Sequence, residues 1–301
     1  WYSLGSSLSI GVYALTIINN IVYVGGFFTN FITAYNPITN SFYSIGGSLN
    51  SLVTCLKSIG NILYVGGQFT TPYTRVAAYN TVTDTWFDIG STLTSRPESM
   101  TSIGKILYIV GGFAAILTSY NTITKSWVNI SNTLNGSAYV LTNIGNILYV
   151  GGSFSSPYSY IAAYNTITNS WITLGSTLNN FVRSITNIGN ILYTGGDFTS
   201  PYSYIAAYNI TTNTWFDIGS SLNNTVRSLI PIGSVLYIGG DFSTPYLRIT
   251  TYNTVTNNWY SINSSLNGSV RTLSNIVNNL YIGGDFSSPY TRIAAYDTSV
   301  S

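Results

Sequence analysis

The stretch Arg183-Ser184-Ile185-Thr186-Asn187-Ile188-Gly189-Asn190-Ile191-Leu192-Tyr193-Thr194-Gly195-Gly196 holds the key to the whole chain. Residues 183–186 alternate polar and apolar, Ile188-Gly189-Asn190 makes a turn, and residues 191–194 run apolar into a glycine pair. Two short runs flanking a Gly/Asn turn read as a β-hairpin. Residues 197–202 then form a loop containing Pro201, and residues 205–208 are a third apolar run. A second turn occupies 209–213, before Trp215-Phe216-Asp217-Ile218. Asn and Thr suit that turn because their side chains bond the local backbone and Asn tolerates left-handed φ. One unit is therefore four short antiparallel strands, A to D. No segment has a 3.6-residue apolar period, so helix is expected to be nearly absent.

The unit recurs. Glycine pairs stand at Gly25-Gly26, Gly66-Gly67, Gly111-Gly112, Gly151-Gly152, Gly195-Gly196, Gly239-Gly240 and Gly283-Gly284, their first members 41, 45, 40, 44, 44 and 44 residues apart. A fixed period of this length marks a repeat architecture whose units cannot bury their apolar faces alone. Seven units of four strands predict an all-β, seven-bladed β-propeller. The 301 residues over seven units give 43 each, so residues 1–301 read as one domain with nothing left over.

A Trp precedes the next glycine pair by 24 or 25 residues at Trp86, Trp127, Trp171, Trp215 and Trp259, and Phe42 takes that place before Gly66. Trp1 stands 24 before Gly25 with no preceding strand to own it, while the seventh unit stops at Tyr296-Asp297-Thr298, short of its Trp. Residues 1–4 are therefore expected to supply strand D of the last blade. That would close the ring and remove exposed sheet edges.

In most units the apolar run and glycine pair are followed by Tyr, six residues and an aromatic: Tyr79 to Trp86, Tyr164 to Trp171, Tyr208 to Trp215, and Tyr35 to Phe42. This pattern resembles the kelch repeat and covers the chain in all seven units. The style and composition are also similar to the Asn/Ile/Tyr-rich propeller repeats of giant DNA viruses of amoebae. The kelch resemblance implies a propeller; kelch-like propellers serve as adaptors, actin cross-linkers, carbohydrate oxidases and viral or surface proteins, so it implies no single function. The units are shorter than typical kelch repeats, and no BTB-type adaptor segment accompanies them.

Only 6% of residues are charged and the net charge is +2, against roughly 25% charged in an average soluble domain. Abundant Asn, Ile, Tyr and Phe point to an AT-rich coding genome, yet Lys, which such a genome also favours, occurs only at Lys57, Lys105 and Lys125. Charge depletion on this scale reads as a protein packed among copies or neighbours, or one outside the cell; recent duplication of a charge-poor ancestral blade is the alternative. Near-neutral surfaces promote association. No basic stripe is present to bind phosphate, so no nucleic-acid partner is expected. No apolar run reaches the roughly 18–20 residues of a membrane helix, so membrane insertion is not expected. The single Cys55 excludes an internal disulfide and, inside an apolar strand, reads as a buried thiol. The chain begins at Trp1 rather than Met and is read as a processed product or an excerpt, so the lack of a visible secretion signal excludes nothing. Sequons at Asn129, Asn135, Asn209, Asn223, Asn263 and Asn267 are expected by chance in so Asn-, Ser- and Thr-rich a chain.

The sequence contains no His, which removes the usual general base and the commonest transition-metal ligand. The copper chemistry of the kelch-like oxidases needs imidazoles and is excluded. The carboxylates are Asp84, Asp88, Glu98, Asp197, Asp217, Asp241, Asp285 and Asp297. A glycosidase needs two carboxylates flanking one bond, and the repeat supplies one per strand position. Neither enzymatic activity, nor a metal, nor a cofactor is expected.

One charged constellation stands out. Arg183, Arg227 and Arg271 begin strand A of blades five, six and seven, and Asp197, Asp241 and Asp285 follow the glycine pairs of the same blades, each 14 residues later. The other blades lose the Arg and the Asp together, as Tyr13 with Phe27, Thr54 with Gln68, Glu98 with Phe113 and Tyr139 with Ser153. Folding the hairpin brings each Arg opposite its Asp. The pairs read either as a structural ladder at the inner strands or as a polar half-ring gripping a ligand at the channel mouth. On the same face five blades carry Pro-Tyr, at Tyr73, Tyr158, Tyr202, Tyr246 and Tyr290, while blades one and three have shorter loops without it. Tyr158, Tyr202, Tyr246 and Tyr290 therefore read either as a recognition rim over blades four to seven or as covers for neighbouring blades. The Trp residues and the Tyr ending each strand C are expected to pack between blades. Arg75, Arg248 and Arg292, just before strand C, are expected to be solvated stems. Two functions follow: a non-enzymatic structural or interaction module in a virion or cell-surface assembly, with protein partners or copies of itself, or a lectin binding glycans on the Tyr-rimmed face.

Overall fold

The computed structural model describes residues 1–5, 8–112, 116–131 and 133–300. They form seven four-stranded antiparallel sheets and one 3-10 turn, Thr298–Val300. In the fifth blade strand A is Val182–Ile188, B is Ile191–Gly196, C is Ile205–Asn209 and D is Thr214–Phe216. Strand A of each blade meets strand A of the next, and that of the first blade, Val12–Ile18, meets that of the seventh, Val270–Ile276. The protein is a closed seven-bladed β-propeller with the A strands around the central channel.

Closure occurs where the stray Trp1 places it. Tyr2–Ser3 is the outermost strand of the seventh blade, with Tyr2 opposite Ala295 and Ser3 opposite Ala294. Trp1 then lies against Tyr296, ring centroids 5.3 Å apart, as Trp215 lies against Tyr208 at 5.1 Å. Trp1 Nε1 donates to the Ile262 carbonyl of the blade before it at 2.9 Å. Trp86, Trp127, Trp215 and Trp259 make the same bond to Ile45, Ile89, Leu174 and Ile218. A part-buried indole N–H needs such a partner, so in these five blades one interaction both satisfies the ring and ties the blade to its predecessor.

The core lies between blades. The cluster between blades four and five, for example, joins Ile161, Ala163, Leu174 and Leu178 of one to Val182, Ile185, Leu192 and Phe198 of the other. The glycine pair is what permits this approach. A Cβ on Gly195 would stand 2.3 Å from Val226 Cγ1 in the next blade, and one on Gly196 would stand 2.0 Å from the Phe181 carbonyl oxygen in its own blade. Gly25, Gly151, Gly239 and Gly283 meet Val53, Val182, Val270 and Val12 in the same way.

The third blade departs from the frame. Its register sets Pro97 opposite Gly111 and Ser99 opposite Val110, whereas the fifth sets Val182 opposite Gly196 and Ser184 opposite Gly195. Val110 therefore occupies the first-glycine position and Gly111 the second. The next blade begins its strand A with Ala138 instead of Val, and Val110 and Ala138 pack in one cluster. The larger side chain has changed sides of the interface. The uneven spacings of 45 and 40 become 44 (66 to 110) and 41 (110 to 151) once this slip is counted. Gly112, not Phe113, is then the counterpart of Asp197, 14 residues after Glu98; Phe113 lies outside the described residues.

Candidate functional site

Every strand A begins with a break in register between its first and third residues, a β-bulge that frees the second residue from the ladder. Bulges re-aim side chains. Here the freed residues are Tyr13, Thr54, Glu98, Tyr139, Arg183, Arg227 and Arg271, one per blade, and together with Leu52 and Arg96 they line a cavity of about 310 Å³ at one end of the channel.

The predicted pairs form. Arg183 donates from Nε to Asp197 Oδ1 at 2.7 Å and from Nη2 to Oδ2 at 2.5 Å. Arg227 donates to Asp241 from Nε at 2.7 Å and Nη2 at 2.6 Å. Arg271 donates from Nε to Asp285 Oδ2 at 2.7 Å, with Nη2 2.6 Å from the same oxygen. Side-on pairing through Nε and Nη2 is the geometry in which a guanidinium matches a carboxylate. Each carboxylate also reaches the following blade. Asp197 accepts from the Thr225 hydroxyl at 2.9 Å, Asp241 from Ser269, and Asp285 lies where a Cβ on Gly11 would strike its Oδ1. Burial by itself would raise the Asp241 pKa, but the bonds from Arg227 and Ser269 and the charges of Arg227 and Arg271 outweigh it and hold the carboxyl below its usual range.

The aromatic members of the ring hold the outer guanidinium groups. Arg271 Cζ lies 4.6 Å from the Tyr13 ring centroid. Arg183 Cζ lies 5.5 Å from that of Tyr139 and 5.8 Å from that of Phe181. On the far side, Thr54 Oγ1 donates to the Pro97 carbonyl at 2.5 Å. Glu98, expected to have lost its partner, accepts instead from Arg96 Nε at 2.6 Å. Burial pushes the Glu98 pKa up, against the bond and charge of Arg96 and the charge of Arg183 across the cavity.

The tyrosines do not join this site. Tyr202 and Tyr246 stack on Trp215 and Trp259 at 6.5 and 6.3 Å, Tyr290 stacks on Trp1 at 6.0 Å, and Tyr158 lies tilted on Trp171 at 5.8 Å. Each is half-buried over the inter-blade core. The rim and the charged half-ring share a face but are separate places, because each ring turns toward its blade's Trp and away from the channel.

Two further groups of residues hold the loops. Arg75, Arg248 and Arg292 are not solvated stems: Nη1 of each donates to the backbone carbonyl of Gln68, Asp241 or Asp285, the residue after the glycine pair. They adopt φ of 63°, 66° and 63°, which aims the side chain back along the loop. Asn179, which sequence reasoning passed over, accepts from the backbone N–H of Thr199 at 2.9 Å and Ser200 at 3.1 Å. Asn50, Asn135, Asn223 and Asn267 brace their loops identically. The signal was a Leu-Asn pair 20 residues ahead of each Ser or Thr, hidden in an Asn-rich chain.

No protein-family model and no curated protein matches this chain. Among solved structures it is similar to the computationally designed Ika8 protein, at 16% identity and a TM-score of 0.60, covering 98% of this chain and 86% of that one. It is also similar to the extracellular domain of the putative one component system BT4673 from B. thetaiotaomicron, at 17% identity and a TM-score of 0.72, covering 98% of this chain and 39% of that one. These likenesses bear on the fold alone. The kelch resemblance rests on the repeat's own Gly-Gly and Tyr–Trp spacing, and no comparison adds to it or to the viral similarity. No helix among the described residues is long and apolar enough to cross a membrane.

Proposed function

We propose that the protein is a non-enzymatic interaction module that assembles with copies of itself or with protein neighbours at a virion or cell surface. The observation that carries this reading is an exterior with little charge and projecting aliphatic side chains. Of 18 charged residues (10 basic, 8 acidic), eight are tied up in four ion pairs at the channel mouth. At the C–D turn tips Ile38, Val82, Ile123, Ile167 and Val255 stand 68–87% exposed. A surface with little net charge favours association. The extracellular setting of one structural neighbour is in keeping with a site outside the cell.

Light scattering and sedimentation over a concentration series test this. Mass should rise with concentration, and Ile38→Asp with Ile167→Asp should reduce the rise. A monomer at every concentration refutes self-assembly, and pull-down against the neighbours in the native particle then decides the protein-partner form. The second reading, a lectin, is favoured by the half-buried tyrosines that Trp residues hold in place, since pre-organised aromatic faces suit sugar stacking. A glycan array tests it: binding must be lost in Tyr202→Ala with Tyr246→Ala, and unchanged binding refutes that site.

A further inference from the structure

We propose that the channel mouth binds a small carboxylate-bearing ligand, its oxyanion held by the free edges of Arg183, Arg227 and Arg271. A guanidinium carries five N–H donors. In all three residues Nε and Nη2 are committed to the Asp partner. None of the hydrogen bonds that Arg183, Arg227 and Arg271 make with the described residues uses Nη1, which keeps two N–H groups. Three such edges come from consecutive blades and line one wall of the cavity of about 310 Å³.

The arrangement is directional. Each Asp follows a glycine pair on strand B, outward of the Arg on strand A, and Asp197 and Asp241 also accept from the next blade, at Thr225 and Ser269. The positive ends of three pairs thus converge on the cavity while their negative ends lie outward of it. The neighbouring guanidinium groups repel one another, and an anion between them relieves that repulsion. Tyr139 and Tyr13 flank the two outer guanidinium groups, which pins their planes and shields them from water, the conditions under which a guanidinium recognises an oxyanion most strongly.

The opposite wall has the complementary character. Glu98, with one oxygen taken by Arg96, presents acceptor capacity across the cavity, while the Thr54 hydroxyl hydrogen is already committed to Pro97. The ligand therefore carries an oxyanion at one end and hydroxyl or ammonium donors at the other, on a frame about the size of a monosaccharide. The site does not depend on assembly, nor on the Tyr rim.

Titration calorimetry at fixed ionic strength tests it, with D-glucuronate as carboxylate probe, D-glucose as its neutral counterpart and inorganic sulfate as a bare oxyanion. One glucuronate per chain should bind, sulfate more weakly, and glucose at least tenfold more weakly than glucuronate. Arg227→Met with Asp241→Leu removes one edge without stranding a charge and should weaken glucuronate at least tenfold. If that variant does not fold, Arg271→Lys, which keeps the charge but not the fork, must also weaken binding. Tyr202→Ala should leave it unchanged. Failure of glucuronate to bind at millimolar concentration, equal binding of glucose, or wild-type affinity in the folded Arg variants would each overturn the assignment.

Discussion

Gly195→Ala probes the principle by which the blades fit together. The added Cβ would lie 2.3 Å from Val226 Cγ1 and 2.9 Å from its Cβ, whereas carbon atoms rest at about 3.5–4.0 Å. Val226 is 0% exposed and has no open space to enter. Overpacking of this kind costs about 1–3 kcal/mol, offset by the roughly 0.5–1 kcal/mol that Ala gains over Gly in a strand. A net loss of about 1–2 kcal/mol is expected. Val226→Ala removes two buried methyl groups, about 1.6 kcal/mol of transfer at ~0.8 per carbon, and the cavity adds to that, for a loss of about 2–3 kcal/mol. Together the two changes recreate the sense of the interface formed by Val110 and Ala138, so the new methyl enters the space just vacated. The double variant should lose about 1–3 kcal/mol less than the sum of the single losses, a coupling expected of residues in direct contact. Urea unfolding followed by Trp fluorescence, at unchanged m, measures all three. Strict additivity would refute the claim that the first glycine exists to admit the next blade's Val.

Four other outcomes follow. Arg227→Met alone should destabilise by about 1–2 kcal/mol more than Arg227→Met with Asp241→Leu, because the single change strands a carboxylate that is only 17% exposed; equal losses on chemical denaturation would show that the pair is not coupled. Asp241 titrates below its unfolded value of about 3.9, so its contribution is complete above that pH and is lost as pH falls toward the lower folded value. The stability gap between wild type and the double variant should therefore narrow below about pH 4, and a gap constant down to pH 2 would contradict this. Burial raises the Cys55 thiol pKa far above its usual value, so a thiol reagent should label the protein at its unfolding rate, and immediate labelling of the native state would be the contrary result. Asn179→Ala should cost about 1–2 kcal/mol and unprotect the amides of Thr199 and Ser200 in hydrogen exchange; retained protection would show that the brace is dispensable.

The ring was legible because period and residue type agree: the Gly pair, the Tyr and the Trp recur together, and Trp1 without a strand of its own implies closure. The Arg–Asp pairing was legible from their joint loss in other blades. The slip in the third blade was not, since Gly111-Gly112 looks like every other pair and only the register shows that Val110 has taken the first place. The uneven spacing and the Ala at 138 were its traces. Which of the two readings of the tyrosine rim holds was not legible for a related reason. Sequence fixes which face a loop occupies, but whether its ring turns inward or outward depends on the stacking partner, here the strand D Trp. Arg96 was invisible because it pairs with Glu98 two residues on, outside the repeat's logic.

The exchanged Val and Ala at one seam bear on how such a chain can change length. Near-identical repeats invite unequal recombination, which removes or adds whole units. Loss of residues equivalent to the fifth blade would set Gly151 against Val226, a match already used elsewhere in the ring. Loss of the fourth would drive Val110 into Val182, and loss of the third would leave Gly66 facing Ala138 across a void. Crossovers among the later units would therefore preserve every glycine–valine match, while removing the third or the fourth unit alone would break one.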